Sequence, residues 1–330
     1  MTDHDEGGST SASGPADEPE LSVVILTRNR SQMLQQALAS VLGQRSVELE
    51  ALVVDNGSTD PGALDVAGID DPRVRVLQQD RNHPVAEARN IGLRAARGRW
   101  IGFLDDDDLW SPTKARAQID AAQAAGRSWV YCGVVDVDRD LTVLRGEPAL
   151  PATQVQQRLP VRNEVPGGCS GVIAERDLVL DLGGMDAAFQ FAADWDLWLR
   201  LSRVGPPADV EGPHVAYRMH GANMSRHLAR MLDELDRFDA KHAVGEVALD
   251  RASLIRDAGT QDLLGGHRSA AAGNYLRALR GGDRRARLLL LTVLLPRQVD
   301  RKLRRRRSDP NWVATAERWL QQYRTAPRSR

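Results

Sequence analysis

The sequence predicts an α/β protein with a mainly parallel central sheet, followed by a helical C-terminal segment. Three observations carry this expectation. Short apolar, β-branched runs alternate with stretches of helical periodicity. Polar clusters fall where the carboxyl ends of those strands would lie. After His227 the composition changes to Leu/Arg/Ala-rich sequence, so the expected organisation is a leader over residues 1–20, a catalytic domain over 21–227 and a helical region over 228–330. A length of 330 residues exceeds the ~100–200 of one ordinary domain and accommodates this division.

The leader is rich in Gly, Ser, Asp, Glu and Pro without apolar periodicity, so it has nothing to bury and reads as disordered. Structure begins with Leu21–Leu26, a continuous apolar run suited to a strand covered on both faces. Thr27–Arg30 forms the connecting loop, and Ser31 is the expected N-cap of a helix whose apolar positions run from Met33 to Leu42. Leu49–Val54 is the next strand and ends on the turn-forming Asp55–Asp60. Val74–Leu77, a helix through Val85–Ala96 and the strand Trp100–Leu104 follow. A helix near Pro112–Ala125 and a strand over Trp129–Val137 complete this part. Pro148–Pro166 reads as a loop placed to cover a site. The segment around Asp194–Leu201 reads as a helix, and Ala270–Leu279 with Ala286–Leu295 as a helical hairpin broken at Gly281–Asp283.

Composition excludes several classes of function. Lys and Arg total 44 against 45 Asp and Glu, so a net charge of -1 provides no global field for nucleic acid or anionic membrane. The basic run Arg301–Arg307 is a local exception. Only Cys132 and Cys169 occur, too few for a disulfide framework and without zinc-ligand spacing, which fits a reducing cytoplasm. No apolar run reaches the ~18 residues of a membrane span, and no signal-peptide pattern opens the chain. Gly-x-Gly-x-x-Gly after a strand, the P-loop pattern and the Gly-x-Ser-x-Gly elbow are all lacking, so dinucleotide enzymes, P-loop NTPases and serine hydrolases have no support.

The chemistry concentrates at Asp105-Asp-Asp-Asp108, four carboxylates directly after a buried strand. Their repulsion is costly unless a cation or strong donors lie between them, and a divalent ion such as Mg²⁺ or Mn²⁺ prefers such hard oxygens. In isolation the run reads as readily as a hydrated turn capping the next helix. Its neighbours decide. Val23–Arg30, Val53–Asp60, Ala88-Arg-Asn-Ile-Gly92, Gly98–Asp108 and Asp194–Leu201 stand in the order and spacing of family 2 glycosyltransferases, and Gly183–Asp186 and Tyr217–Ser225 resemble later landmarks of that family.

The resemblance implies a GT-A fold, a nucleotide-diphospho-sugar donor, a divalent metal and inverting transfer to an acceptor hydroxyl, in glycan, cell-envelope or glycosylated-metabolite synthesis. It assigns Thr27, Arg28 and Asn29 to the loop that touches the nucleotide, Asp55 to the base, and Arg89 to the nucleotide site. Asp105 and Asp107 match the ends of the DxD motif, with Asp105 at the ribose or metal and Asp107 on the metal. His220 is a further metal or diphosphate ligand. Asp194 matches the catalytic base, with Asp196 as the alternative, while Ala193 stands where the family usually has Glu. The implied acceptor is a carbohydrate, a lipid-linked sugar or a small molecule, and no nucleic acid partner is implied.

Two other readings remain open at this level. A nucleotidyltransferase would also use acidic residues and a metal, but Thr27–Arg30 contains no glycine for a triphosphate loop. A non-catalytic nucleotide-sugar-binding protein is motivated by Ala193. At the C-terminus, Leu288–Leu295 followed by basic residues reads either as a helix packed on the catalytic domain with a solvated basic end or as a peripheral contact with the inner face of the membrane.

Overall fold

The computed structural model describes residues 18–219, 228–242, 249–295 and 308–324. Most of the expected leader, His220 and the run Arg301–Arg307 lie outside the described residues. The first half begins as the sequence predicts, with β1 (Leu21–Thr27), α1 (Ser31–Leu42), β2 (Leu49–Asp55), β3 (Val74–Gln78), α2 (Val85–Ala95) and β4 (Trp100–Asp105). These four strands are parallel throughout. In β1, Val23 and Ile25 face a core completed by Leu34, Leu38 and Ile119, while Val24 faces the opposite core with Ala86, Leu93 and Leu197. Burial on both faces explains why the strands read as continuous apolar runs rather than alternating ones.

The second part departs from parallel pairing. It comprises β5 (Leu109–Trp110), α3 (Lys114–Ala125), β6 (Trp129–Val137), β7 (Val143–Glu147), α4 (Ala152–Arg158), β8 (Val172–Glu175), α5 (Arg176–Asp181), α6 (Ala193–Val204) and β9 (Ala208–Arg218). The full sheet runs β3-β2-β1-β4-β8-β6-β9-β5, with β7 added to β6. The β4/β8, β8/β6, β6/β7 and β9/β5 pairs are antiparallel, whereas β6 and β9 are parallel. Two local expectations change. Ser31 is the first helical residue of α1 rather than its cap: Arg30 holds the cap position, and no side chain caps the end. The 148–166 stretch also contains α4, which starts after Pro151 and anchors itself by burying Val155 and Leu159 one turn apart.

Beyond the sheet lie α7 (Leu228–His242), α8 (Arg251–Leu264), α9 (Arg268–Arg280), α10 (Ala286–Thr292) and α11 (Pro310–Arg324). They do three separate jobs. From α7, Phe238 stacks on Trp195 of α6 with ring centroids 4.4 Å apart. Helices α8, α9 and α10 share a small core around Tyr275 and Ala278, and the expected hairpin is α9 with α10. Helix α11 returns to the sheet and covers Val135, Val137 and Val143 with Trp312, Val313 and Leu320. Trp312 fits because Gly133 leaves room: a Cβ there would lie 2.2 Å from the indole.

Candidate active site

Strand register builds the floor of the site. Thr27 pairs with Asp55 across β1 and β2, and Leu26 pairs with Asp105 across β1 and β4, so the carboxyl ends of three parallel strands finish on one edge. Chain order reverses direction at β1, which lies between β2 and β4, and this is where an open α/β sheet leaves a crevice. A cleft of about 820 Å³ opens there, lined among others by Thr27, Arg89, Asp105, Asp107, Gly168 and Asp194.

The four clustered carboxylates divide by burial. Asp106 and Asp108 are buried, whereas Asp105 and Asp107 are partly accessible. Asp106 accepts the Thr27 hydroxyl at 2.8 Å and Arg30 Nη1 at 3.0 Å, and the same nitrogen reaches Asp107 Oδ2 at 3.0 Å. Asp108 accepts the Ser170 hydroxyl at 2.6 Å and the Arg218 N–H at 3.0 Å. Arg89 pairs with Asp105. Even so, burial and the neighbouring Asp107 push Asp106 up to about 7. Burial, with Asp107 and Asp105 beside it, raises Asp108 well above the ordinary carboxylate range. Asp105, Asp107 and Asp108 each present a carboxylate oxygen within 4.8 Å of the others. Arg30 and Arg89 offset only part of the negative charge gathered here, and three hard oxygen donors so close together suit a divalent cation, so these residues fit the metal the sequence implies.

Across the cleft, α6 begins beside the short turn Gly168–Gly171. Asp194 lines the cleft and accepts the Trp195 N–H at 2.7 Å. Burial raises its pKa, against the Trp195 hydrogen bond and the nearby Arg89. Gly168 adopts φ 53°, and a Cβ there would stand 3.2 Å from Asp194 Oδ2, so a side chain would crowd that carboxylate. Arg89 lies between the two acidic groups. Burial would lower its pKa, but the Asp105 and Asp194 carboxylates outweigh that and keep the guanidinium charged.

Not every expected residue reaches the cleft. Asp196 is fully buried on another face of α6, where it binds Arg200 at 2.6 Å, Lys241 at 2.6 Å and His242 at 2.8 Å. With all three cations or donors on it and no access, it is not placed to take a proton from an acceptor. Asn29 does not line the cleft. Held at φ 53°, it accepts the Thr59 and Asp60 N–H groups at 2.8 and 3.0 Å and so ties the turn after β1 to the turn after β2. Asp55 is buried and accepts the Ser58 N–H at 3.1 Å within that second turn. Arg28 does line the cleft. No residue of the 148–166 stretch does, but Gly168 and Cys169 just beyond it do.

Other participants emerge only in three dimensions. Arg30 lay inside a motif but had no assigned partner. Asn56 holds the 82–83 turn against the cleft through the Asn82 side chain at 3.1 Å and the His83 carbonyl at 3.0 Å. Glu234 of α7 accepts the N–H groups of Gln190, Phe191 and Ala192 at 2.8, 2.7 and 3.1 Å, fixing the backbone that leads into Asp194.

Residues 22–178 match the model of Glycosyl transferase family 2. The succinoglycan biosynthesis protein ExoO of Rhizobium meliloti (strain 1021) is 33% identical over 247 residues, covering 72% of this chain and 70% of that protein. The chain belongs to glycosyl transferase family 2. It is a glycosyltransferase. The E. coli protein WfgD, a UDP-Glc:alpha-D-GlcNAc-diphosphoundecaprenol beta-1,3-glucosyltransferase, is 28% identical over 185 residues, covering 56% of this chain and 70% of its own. Among solved structures, S. aureus TarS in complex with UDP-GlcNAc superposes with a TM-score of 0.55 at 15% identity over 92% of both chains. The mannosyltransferase PcManGT from Pyrobaculum calidifontis in complex with GDP-Man and Mn²⁺ gives 0.53 at 18% identity, over 97% of this chain and 92% of that one. These likenesses establish the GT-A fold for the glycosyltransferase, including its C-terminal helices.

Proposed function

We propose that this glycosyltransferase moves a sugar from a nucleotide-diphospho-sugar to an acceptor hydroxyl with inversion, using a divalent cation held by Asp105, Asp107 and Asp108. The observation that carries the reading is the meeting of that carboxylate cluster and the separate, burial-raised Asp194 in one cleft. Thr27, Arg28 and Arg89 would frame the nucleotide and diphosphate side. Asn29 and Asp55 would act there indirectly, by shaping the two turns that flank it. When bound, the cation would neutralise charge on the departing diphosphate as a Lewis acid. Asp194, its pKa lifted toward that of a useful base, would accept the proton of the attacking hydroxyl, a contribution of about 10²–10⁴-fold. The Arg89 charge would offset the repulsion between Asp194 and Asp105. His220 stays a proposed ligand of the same site.

The names of the relatives support a glycan, such as one of the cell envelope, as the product, with a lipid-linked sugar as the acceptor. Two free, buried cysteines support a reducing compartment, and we place the enzyme in the cytoplasm. The test is release of nucleoside diphosphate from UDP-, GDP-, dTDP- and CDP-sugars with Mn²⁺ or Mg²⁺. Asp107→Ala should abolish metal-supported donor binding. Pyrophosphate release from a triphosphate would instead identify a nucleotidyltransferase, and binding of every donor without turnover would identify the non-catalytic protein that Ala193 suggests.

A further inference from the structure

The α8–α10 unit has an outer surface that the catalytic reading does not use. On α10, Ala286, Leu289, Leu290 and Val293 face inward, onto Tyr275 and Ala278 of α9. The next face is bare: Leu288, Leu291 and Leu294 are 71%, 62% and 82% exposed, and their spacing of three places them along one side of the helix and its final turn. Solvated single leucines are ordinary, but three in one stripe on a helix already anchored by its opposite face form a patch. Arg277, Arg280, Arg284, Arg285 and Arg287 are exposed on the same helical pair, and among the described residues none of the five has an ion-pair partner. No described helix is long and apolar enough to cross a membrane.

We propose that this face docks on an anionic lipid bilayer, with the three leucines entering the headgroup boundary and the arginines binding lipid phosphates. Charge selects this occupant over a second copy of the chain, because a symmetric pairing would bring two unpaired arginine clusters together. The turn between α9 and α10 also reaches toward the catalytic domain. Arg284 and Arg285 line a cavity of about 580 Å³ with Arg158 at the end of α4 and Arg162 of the segment that follows it. There Glu164 is paired with Arg158 and Asp283 with Arg256, which leaves Arg284 and Arg285 to face solvent. That segment in turn meets α6, through the Trp195 indole N–H to Leu159 O at 2.7 Å. The docking face is thus linked, through this segment, to the helix that carries Asp194.

The experiment is co-sedimentation of the full chain with vesicles of phosphatidylcholine, with and without phosphatidylglycerol. The wild-type protein should partition onto the anionic vesicles and lose most of that binding at high salt. The triple variant Leu288→Ser/Leu291→Ser/Leu294→Ser and the triple variant Arg284→Glu/Arg285→Glu/Arg287→Glu should each bind about tenfold or more weakly. Both should release nucleoside diphosphate from a donor in vesicle-free solution at the wild-type rate, which separates this docking from the transfer reaction. Equal partitioning of either variant and wild type, or equal binding to neutral and anionic vesicles, would overturn the proposal. So would a vesicle-free dimer that the leucine variant converts to monomer.

Discussion

Asp194 and Asp196 stand two positions apart in the first turn of α6, yet one lines the cleft and the other is sealed beneath it. That separation follows from helix geometry, since neighbours at i and i+2 do not share a face. Asp194→Asn should leave donor affinity within about twofold while transfer falls by about 10²–10⁴-fold. Because a base must be deprotonated to act and burial raises this carboxyl, the acid limb of the wild-type rate profile should lie above the ordinary aspartate value. Asp196 answers to a different measurement. Its burial alone would raise its pKa, but His242, Lys241 and Arg200 reverse that and hold it at about 2, below the ordinary 3.8. The unfolded chain therefore binds the proton more tightly than the folded one. A stabilisation of about 2 kcal/mol is present above about pH 4 and is lost as the pH falls toward 2. Asp196→Asn should cost about 3 kcal/mol in urea unfolding at neutral pH, by removing the buried carboxylate that Arg200, Lys241 and His242 share, and should flatten that acid dependence. The aspartates were visible in the sequence as types and spacings. Arg200, one turn on, was within reach of such a reading, but Lys241 and His242 were not, because they lie more than forty residues away and nothing in their own neighbourhood marks them.

At the scale of elements, α7 shows how a helix without a motif reaches the site. Glu234 and Phe238, one turn apart, grip the loop before α6 and the face of Trp195. Glu234→Gln should weaken three charge-assisted hydrogen bonds, lower stability by about 2 kcal/mol and speed hydrogen exchange at Gln190, Phe191 and Ala192. The strands β1, β2 and β4 were legible because both faces of each are buried, which leaves an unbroken apolar run. Strand β8 was not, having four residues, and β9 was not, since Gly212-Pro213 interrupts it at the bulge where Gly133 pairs with Pro213. Helix α4 hid for another reason: Gln and Arg fill its surface, and only Val155 and Leu159 reveal an inward side.

On the scale of the whole molecule, the parallel half supplies the crevice and the mixed half supplies its far wall, so a sequence reading that recovered the first could locate the metal cluster but not the shape facing it. The C-terminal region was correctly expected to be helical, but its division among α6, the sheet and a separate outer core depends on contacts between residues far apart in the chain. Helix α11 is the clearest case. Trp312→Ala should open a cavity over Gly133 and Gly146 and cost about 3–5 kcal/mol in chemical denaturation, with turnover per folded molecule retained. The same packing has a consequence in time. Trp312 covers strands that precede it by far, its indole N–H reaching Val134 O 178 residues earlier. At synthesis rates of about 5–20 residues per second, the valines under α11 wait roughly 9–36 s after they are made before their cover exists. During that interval the nascent chain carries an uncovered apolar sheet face, and its dependence on chaperones should be greatest there.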